Sequence, residues 1–157
     1  MGRNIGLITG AASGIGLKTA KRLLKKGWEI YGLDNDKNGL EQSWKEIDNS
    51  NYITKPCDLR SEEALKKILA QIQKNQQKIN ALIACAGVLK LGTLEDMSTE
   101  DFDAVFDINV RGLWLSAREA LPFLKNAASR GELSRIILLS SVSALRPKID
   151  SGAYSAS

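Results

Sequence analysis

The run Thr9-Gly10-Ala11-Ala12-Ser13-Gly14-Ile15-Gly16 lies between an apolar, strand-like stretch and a stretch with helical spacing. Glycines there let the main chain approach a pyrophosphate closely. The helix that follows offers free N–H groups and the positive end of its dipole. A nucleotide-triphosphate loop would need Gly-Lys-Ser/Thr at its end, but Gly16 is followed by Leu17. The G-x-G-x-x-G pattern fails too, because Thr19 stands three residues after Gly16. The spacing that fits is T-G-x-x-x-G-x-G. On bare spacing these glycines could also make only a tight turn.

The sequence has no histidine. A Ser-His-Asp triad, a histidine-ligated zinc and an imidazole base are therefore impossible within these residues. Acid–base chemistry must use carboxylate, lysine, tyrosine or cysteine. Cys57 and Cys85 lack metal-ligand spacing and are too few for a disulfide framework, so both read as buried free thiols and no metal site is expected.

The elements that must hold these residues follow from hydrophobic periodicity. Strands are predicted over 5–9, 28–33, 52–57, 79–85 and 133–140. Helices are predicted over 15–26, with Ile15, Thr19, Leu23 and Leu24 at helical spacing and Gly27 as the stop, and over 38–47. A third helix, capped by Ser61, has Leu65, Ile68, Leu69 and Ile72 on one face. A long tract over 99–126 is capped by Ser98 and kinked at Pro122. Strands alternating with helices imply right-handed crossovers and a parallel sheet covered on both faces, the doubly wound α/β class with three α/β/α layers. With 157 residues and no linker or repeat, one domain is expected over 1–157.

The net charge of +4 is mild. The local cluster Lys18, Lys21, Arg22, Lys25 and Lys26 reads as a solvated helix face, so no nucleic-acid partner is expected. No apolar run approaches the ~20 residues of a membrane span, and the first residues pass straight into a strand pattern; a cytoplasmic protein is expected.

In its T-G-x-x-x-G-x-G loop and the strand–helix context around it, the sequence resembles the short-chain dehydrogenase/reductase family. The resemblance implies a Rossmann fold, a nicotinamide dinucleotide cofactor and hydride transfer between it and a small alcohol or ketone. It assigns Gly10, Ser13, Gly14, Ile15 and Gly16 to the phosphate cradle. Asp34, ending the second strand, falls where such sites face the adenosine ribose. A carboxylate there accepts from both hydroxyls and repels a 2′-phosphate. Ser13 stands where NADP-preferring relatives often carry a basic residue. Both features imply NAD over NADP. Asp58 matches a family aspartate that contacts adenine, and equally fits a helix cap.

After the fourth strand, Ala84-Cys85-Ala86-Gly87 replaces the usual Asn-Asn-Ala-Gly. Ala86 and Gly87 keep the small residues that let main chain pass near the cofactor, but other groups must supply the stabilisation of the lost asparagines. Cys85 has no neighbouring base or cation to activate it. The resemblance further implies that Asn109 interrupts the long helix and holds a relay water. It implies that Ser141 polarises the substrate carbonyl, and that Tyr154, thirteen residues on, exchanges the proton. Ser140 and Ser143 read as structural.

The family motif is Tyr-x-x-x-Lys, and the sequence ends at Ser157, one position short of the lysine. A free tyrosine has a pKa of about 10, so only about one in a thousand is ionised at neutrality, and a nearby ammonium would lower that value. The expectation is the leading part of a longer enzyme, with the fifth strand a bare sheet edge and no full helical turn at Tyr154. Two functions stay open: an oxidoreductase, or a non-catalytic dinucleotide-binding module serving as sensor or partner subunit. A lysine codon after Ser157 favours the first. The substrate is left open among sugars, polyols, steroids, acyl thioesters and xenobiotic ketones. Trp114 and Leu121 fall outside the face that the sheet needs, and relatives associate through this helix, so a homo-oligomer is expected beside an ordinary wide core stripe.

Overall fold

The strands are short, nearly continuous apolar runs, as parallel strands covered on both faces must be. The computed structural model describes residues 2–157, apart from the side chain of Asn75. Strands β1 (Ile5–Thr9), β2 (Glu29–Asp34), β3 (Tyr52–Pro56), β4 (Ala81–Ala84) and β5 (Arg135–Leu138) form one sheet in the order β3-β2-β1-β4-β5. Every neighbouring pair is parallel. The direction of winding reverses between β1 and β4, and in open α/β sheets the crevice beyond the carboxyl ends at that point is where ligands bind.

The described residues also form six α-helices: α1 (Gly14–Leu24), α2 (Lys37–Ile47), α3 (Glu62–Gln76), α4 (Thr99–Phe106), α5 (Leu113–Ser129) and α6 (Gly152–Ala156). Strand alternation sorts the core into two layers. Leu7, Leu33 and Leu82 pack with Leu65, Leu69 and Ile72 of α3 and Leu115 and Leu124 of α5. Ile8, Ile30 and Ile83 pack on the other face with Ala20 and Leu24 of α1 and Leu40 of α2. Helix starts are set by side chains: Asp36 accepts from Gly39 N at 3.0 Å, Ser61 from Ala64 N at 3.2 Å and Ser98 from Asp101 N at 3.1 Å.

The predicted tract over 99–126 is two helices joined by a π-helical turn, Asp107–Gly112. The interruption lies there, while α5 runs through Pro122 to Ser129. The extra residue in a π turn re-aims side chains, and here it presents Asn109 to the end of β4. The last helix also departs from expectation. It starts at Gly152, early enough for a full turn, with Ser155 N bonded to Ser151 O at 2.8 Å and Ser157 N to Ala153 O at 3.1 Å. β5 forms the sheet edge, and Ile136, Ile137 and Leu138 are exposed. Among the described residues, no helix is long and apolar enough to cross a membrane.

Candidate active site

The cradle is built where β1 hands over to α1. Gly10 has φ +70° and Gly14 φ +53°, left-handed conformations that a side chain would strain. A Cβ on Gly10 would lie 2.8 Å from Ala86 N, and one on Gly16 would overlap the Gly10 carbonyl. The loop is thus pressed against both the β4 exit and its own helix. Ser13 caps α1 by position only: its hydroxyl makes no capping bond, and no acidic residue occupies the first turn. The first N–H groups of α1 and the dipole's positive end therefore face the space beyond Gly14 and Gly16. Ile15, expected on the apolar helix face, is 62% exposed and lines that space instead.

This space is a cavity of about 440 Å³. It runs from Gly10, Ser13, Gly14, Ile15 and Gly16 past Asp34 and Asp58 to Cys85, Ala86 and Gly87. Asp34 sits at the end of β2 with one oxygen accepting from Ala12 N at 3.0 Å and the other from Asp36 N at 3.1 Å. Each carboxylate oxygen carries two acceptor positions, so one on each oxygen remains available. Asp58 is not the cap of α3, because Ser61 fills that role. Its carboxylate is forked by Arg60, at 3.0 Å from Nε and 2.7 Å from Nη2. The Arg60 side chain, helped by the Arg60 main-chain N–H, holds the Asp58 carboxyl below its usual range against a smaller opposing effect of burial.

The groups that stand in for the missing asparagines are now visible. Thr9 Oγ1 accepts from Ala86 N at 3.3 Å, and Thr9 O accepts from Cys85 N at 3.2 Å. Asn109 clamps the next residue but one: its Oδ1 accepts from Val88 N at 2.8 Å and its Nδ2 donates to Val88 O at 3.0 Å. Nδ2 also donates to Ser157 Oγ at 2.9 Å. Both amide hydrogens and one acceptor position of Asn109 are committed to protein. Burial raises the Cys85 thiol, as expected of an unactivated cysteine.

A second cavity, about 550 Å³, opens beyond the same strand exit. Asn109, Ser141 and Tyr154 all line it, as do Leu89, Leu113, Leu139 and Val142, and no charged side chain does. Ser141 Oγ accepts from Ser143 N at 3.2 Å, which leaves its own hydroxyl hydrogen to donate elsewhere. The two cavities share Ile15, Cys85, Ala86, Gly87 and Val88. All the residues anticipated from sequence therefore lie along one continuous cleft at the carboxyl ends of the strands.

Two contributors escaped the sequence analysis. Tyr52, buried on β3, donates its hydroxyl to Ala11 O at 3.2 Å and so props the cradle from beneath. Thr9 was read only as the start of the glycine motif. A buried tyrosine hydroxyl needs a partner, which is a signal, but spacing does not say which partner.

The short chain dehydrogenase family model matches residues 4–157. The chain is 30% identical over 155 residues to a 2,3-dihydro-2,3-dihydroxybenzoate dehydrogenase of Bacillus subtilis, covering 98% of this chain and 58% of that one. It is 31% identical over 163 residues to the human 3-hydroxyacyl-CoA dehydrogenase type-2, covering 98% and 61%. The crystal structure of a 3-ketoacyl-(acyl-carrier-protein) reductase from Brucella melitensis complexed with NADH superposes with a TM-score of 0.91 at 30% identity, over 98% of this chain and 63% of that one. The chain belongs to the short-chain dehydrogenase/reductase family, and its sheet and flanking helices are the Rossmann-type fold of that family. It spans about three-fifths of the length of these relatives.

Proposed function

We propose that this chain is the cofactor-binding and catalytic-residue part of an NAD-dependent oxidoreductase that interconverts a secondary alcohol and a ketone. The continuity of the two cavities through Cys85–Val88 carries the reading, because it puts an anion cradle and a hydroxyl pair on one path. The residues fit a nicotinamide dinucleotide. The α1 start and Gly10, Gly14 and Gly16 suit its pyrophosphate, and the free acceptor positions of Asp34 suit two ribose hydroxyls. Asp58 lies where adenine would reach, and Ala86 and Gly87 form the floor toward the second cavity. When bound, the cofactor supplies the hydride acceptor or donor.

The chain's own residues would do the rest. Ser141 donates its hydroxyl hydrogen to the substrate oxygen. Tyr154 gives up or takes the proton at that oxygen. Asn109 holds the β4 exit in place through Val88. The uncharged lining of the second cavity suits a neutral carbonyl carbon. NAD is preferred to NADP because a 2′-phosphate would meet the Asp34 carboxylate without a basic residue at Ser13 to offset it. We read residues 1–157 as one dinucleotide-binding domain. The outward Trp114 and Leu121 on α5, both exposed, suit association with a second copy, and the free thiols Cys57 and Cys85 suit the cytoplasm.

The test is a panel of neutral secondary alcohols assayed with NAD on the full-length protein that supplies the motif lysine, alongside its Tyr154→Phe variant. NAD reduction that Tyr154→Phe lowers by about a hundredfold or more supports the assignment. Turnover unchanged by that substitution overturns it.

A further inference from the structure

Asn109 and Tyr154 lie on different elements, and one hydroxyl joins them. Ser157 Oγ accepts from Asn109 Nδ2 at 2.9 Å and donates to Tyr154 O at 2.9 Å. Asn109 in turn grips both polar groups of the Val88 main chain. The hydrogen-bonded path is thus Val88, Asn109, Ser157, Tyr154, and it runs from the floor shared by the two cavities to the turn that carries the tyrosine. α6 also carries a contact of Ser151 Oγ with Ser155 Oγ at 3.4 Å, follows the isolated bridge between Gly92 and Ser151, and packs against α4. The Ser157 hydroxyl links its carboxyl end back to the β4 exit through Asn109.

We propose that Ser157 is a positioning residue that registers Tyr154 against the cofactor floor by bridging Asn109 to the Tyr154 carbonyl. The inference rests on the functional reading above for its consequence, though the bridge itself does not. A hydroxyl at this position can accept from the amide and donate to the carbonyl at once. Alanine can do neither, and threonine can do both. The bridge leaves the α1 cradle untouched, so its loss should decouple Tyr154 from a bound cofactor without weakening the cofactor's hold.

The experiment compares wild type, Ser157→Ala and Ser157→Thr by NMR. Without cofactor, amide exchange at Val88 and Ser155 is expected to quicken at least threefold in Ser157→Ala and to return to the wild-type rate in Ser157→Thr. Equal rates in all three would overturn the bridge. With NADH added, the Tyr154 ring resonances of wild type and Ser157→Thr should shift. Ser157→Ala should bind NADH with the same Kd yet show less than half of that shift. A full shift in Ser157→Ala overturns the positioning role. Failure of wild type to bind NADH overturns the functional reading instead, and the exchange rates still decide the bridge.

Discussion

Asn109 holds Val88 by both its main-chain polar groups, accepting from the N–H at 2.8 Å and donating to the carbonyl at 3.0 Å. This pair fixes the chain where β4 leaves the sheet, at the wall between the two cavities. The π turn Asp107–Gly112 is what lets one residue of a long helix reach sideways in this way.

Replacing Asn109 with leucine keeps the branching and the number of side-chain heavy atoms but leaves the half-buried Val88 groups unpaired. The expected loss of stability is about 1–3 kcal/mol, the range for an unsatisfied buried polar group. Urea unfolding followed by circular dichroism measures it. An unchanged midpoint would show that water replaces the clamp without loss.

Asp34→Asn removes the charge and keeps at most one of the two backbone contacts, because Ala12 N–H and Asp36 N–H donate to different oxygens. NADH should bind at least tenfold more weakly, while NADPH should bind no worse than before, since its repulsion is gone. Titration calorimetry with each cofactor separates the two. Equal weakening of both would place Asp34 in support of the loop rather than in cofactor choice.

Two cradle glycines should respond differently to alanine. Gly16→Ala drives a Cβ into the Gly10 carbonyl, so the loop must move or the fold must fail. Gly14→Ala meets no atom within 4 Å but pays for its left-handed φ of +53°, about 1–2 kcal/mol. Thermal unfolding should show a small drop for Gly14→Ala and a large drop or no folded protein for Gly16→Ala. The reverse order would contradict the packing described here.

Stability is expected to fall at alkaline pH because of Cys57. Burial, with a smaller contribution from Asp58, pushes its thiol from 9.0 up to about 11, and the side chain is 4% exposed. A raised folded pKa means the unfolded chain releases the proton first. The stabilisation is whole below pH 9 and is lost as pH rises toward 11, by about 2–3 kcal/mol for a two-unit shift. Cys57→Ala should flatten that alkaline slope in pH-dependent urea unfolding. A slope identical to wild type would assign the effect to other groups.

The sequence pattern carried the order and type of the elements well, since apolar runs of strand length alternate with helical periodicity. The family resemblance supplied Gly10, Asp34, Ser141 and Tyr154, and they line adjoining cavities because the loops at the carboxyl ends of parallel strands converge there. Strand ends were less legible: β4 and β5 are shorter than their apolar runs over 79–85 and 133–140, because apolar residues continue into the loops that line the cleft. Periodicity put Ile15 on the apolar face of the helix, whereas its side chain lines the cavity, where the family resemblance had put it. The links from Tyr52 to Ala11 and from Asp34 to Ala12 join residues far apart in sequence through side chain and main chain. No periodicity records such pairs. The interruption expected at Asn109 is the π turn Asp107–Gly112, whereas α5 runs through Pro122, where a kink was expected.

The cavity between Gly10 and Asp34 is the proposed NAD site. Fluorescence titration of the purified chain with NADH, and then with NADPH, tests it most directly. The account predicts saturable binding of NADH, at least tenfold tighter than that of NADPH. A folded chain that binds neither, or that prefers NADPH, would contradict it.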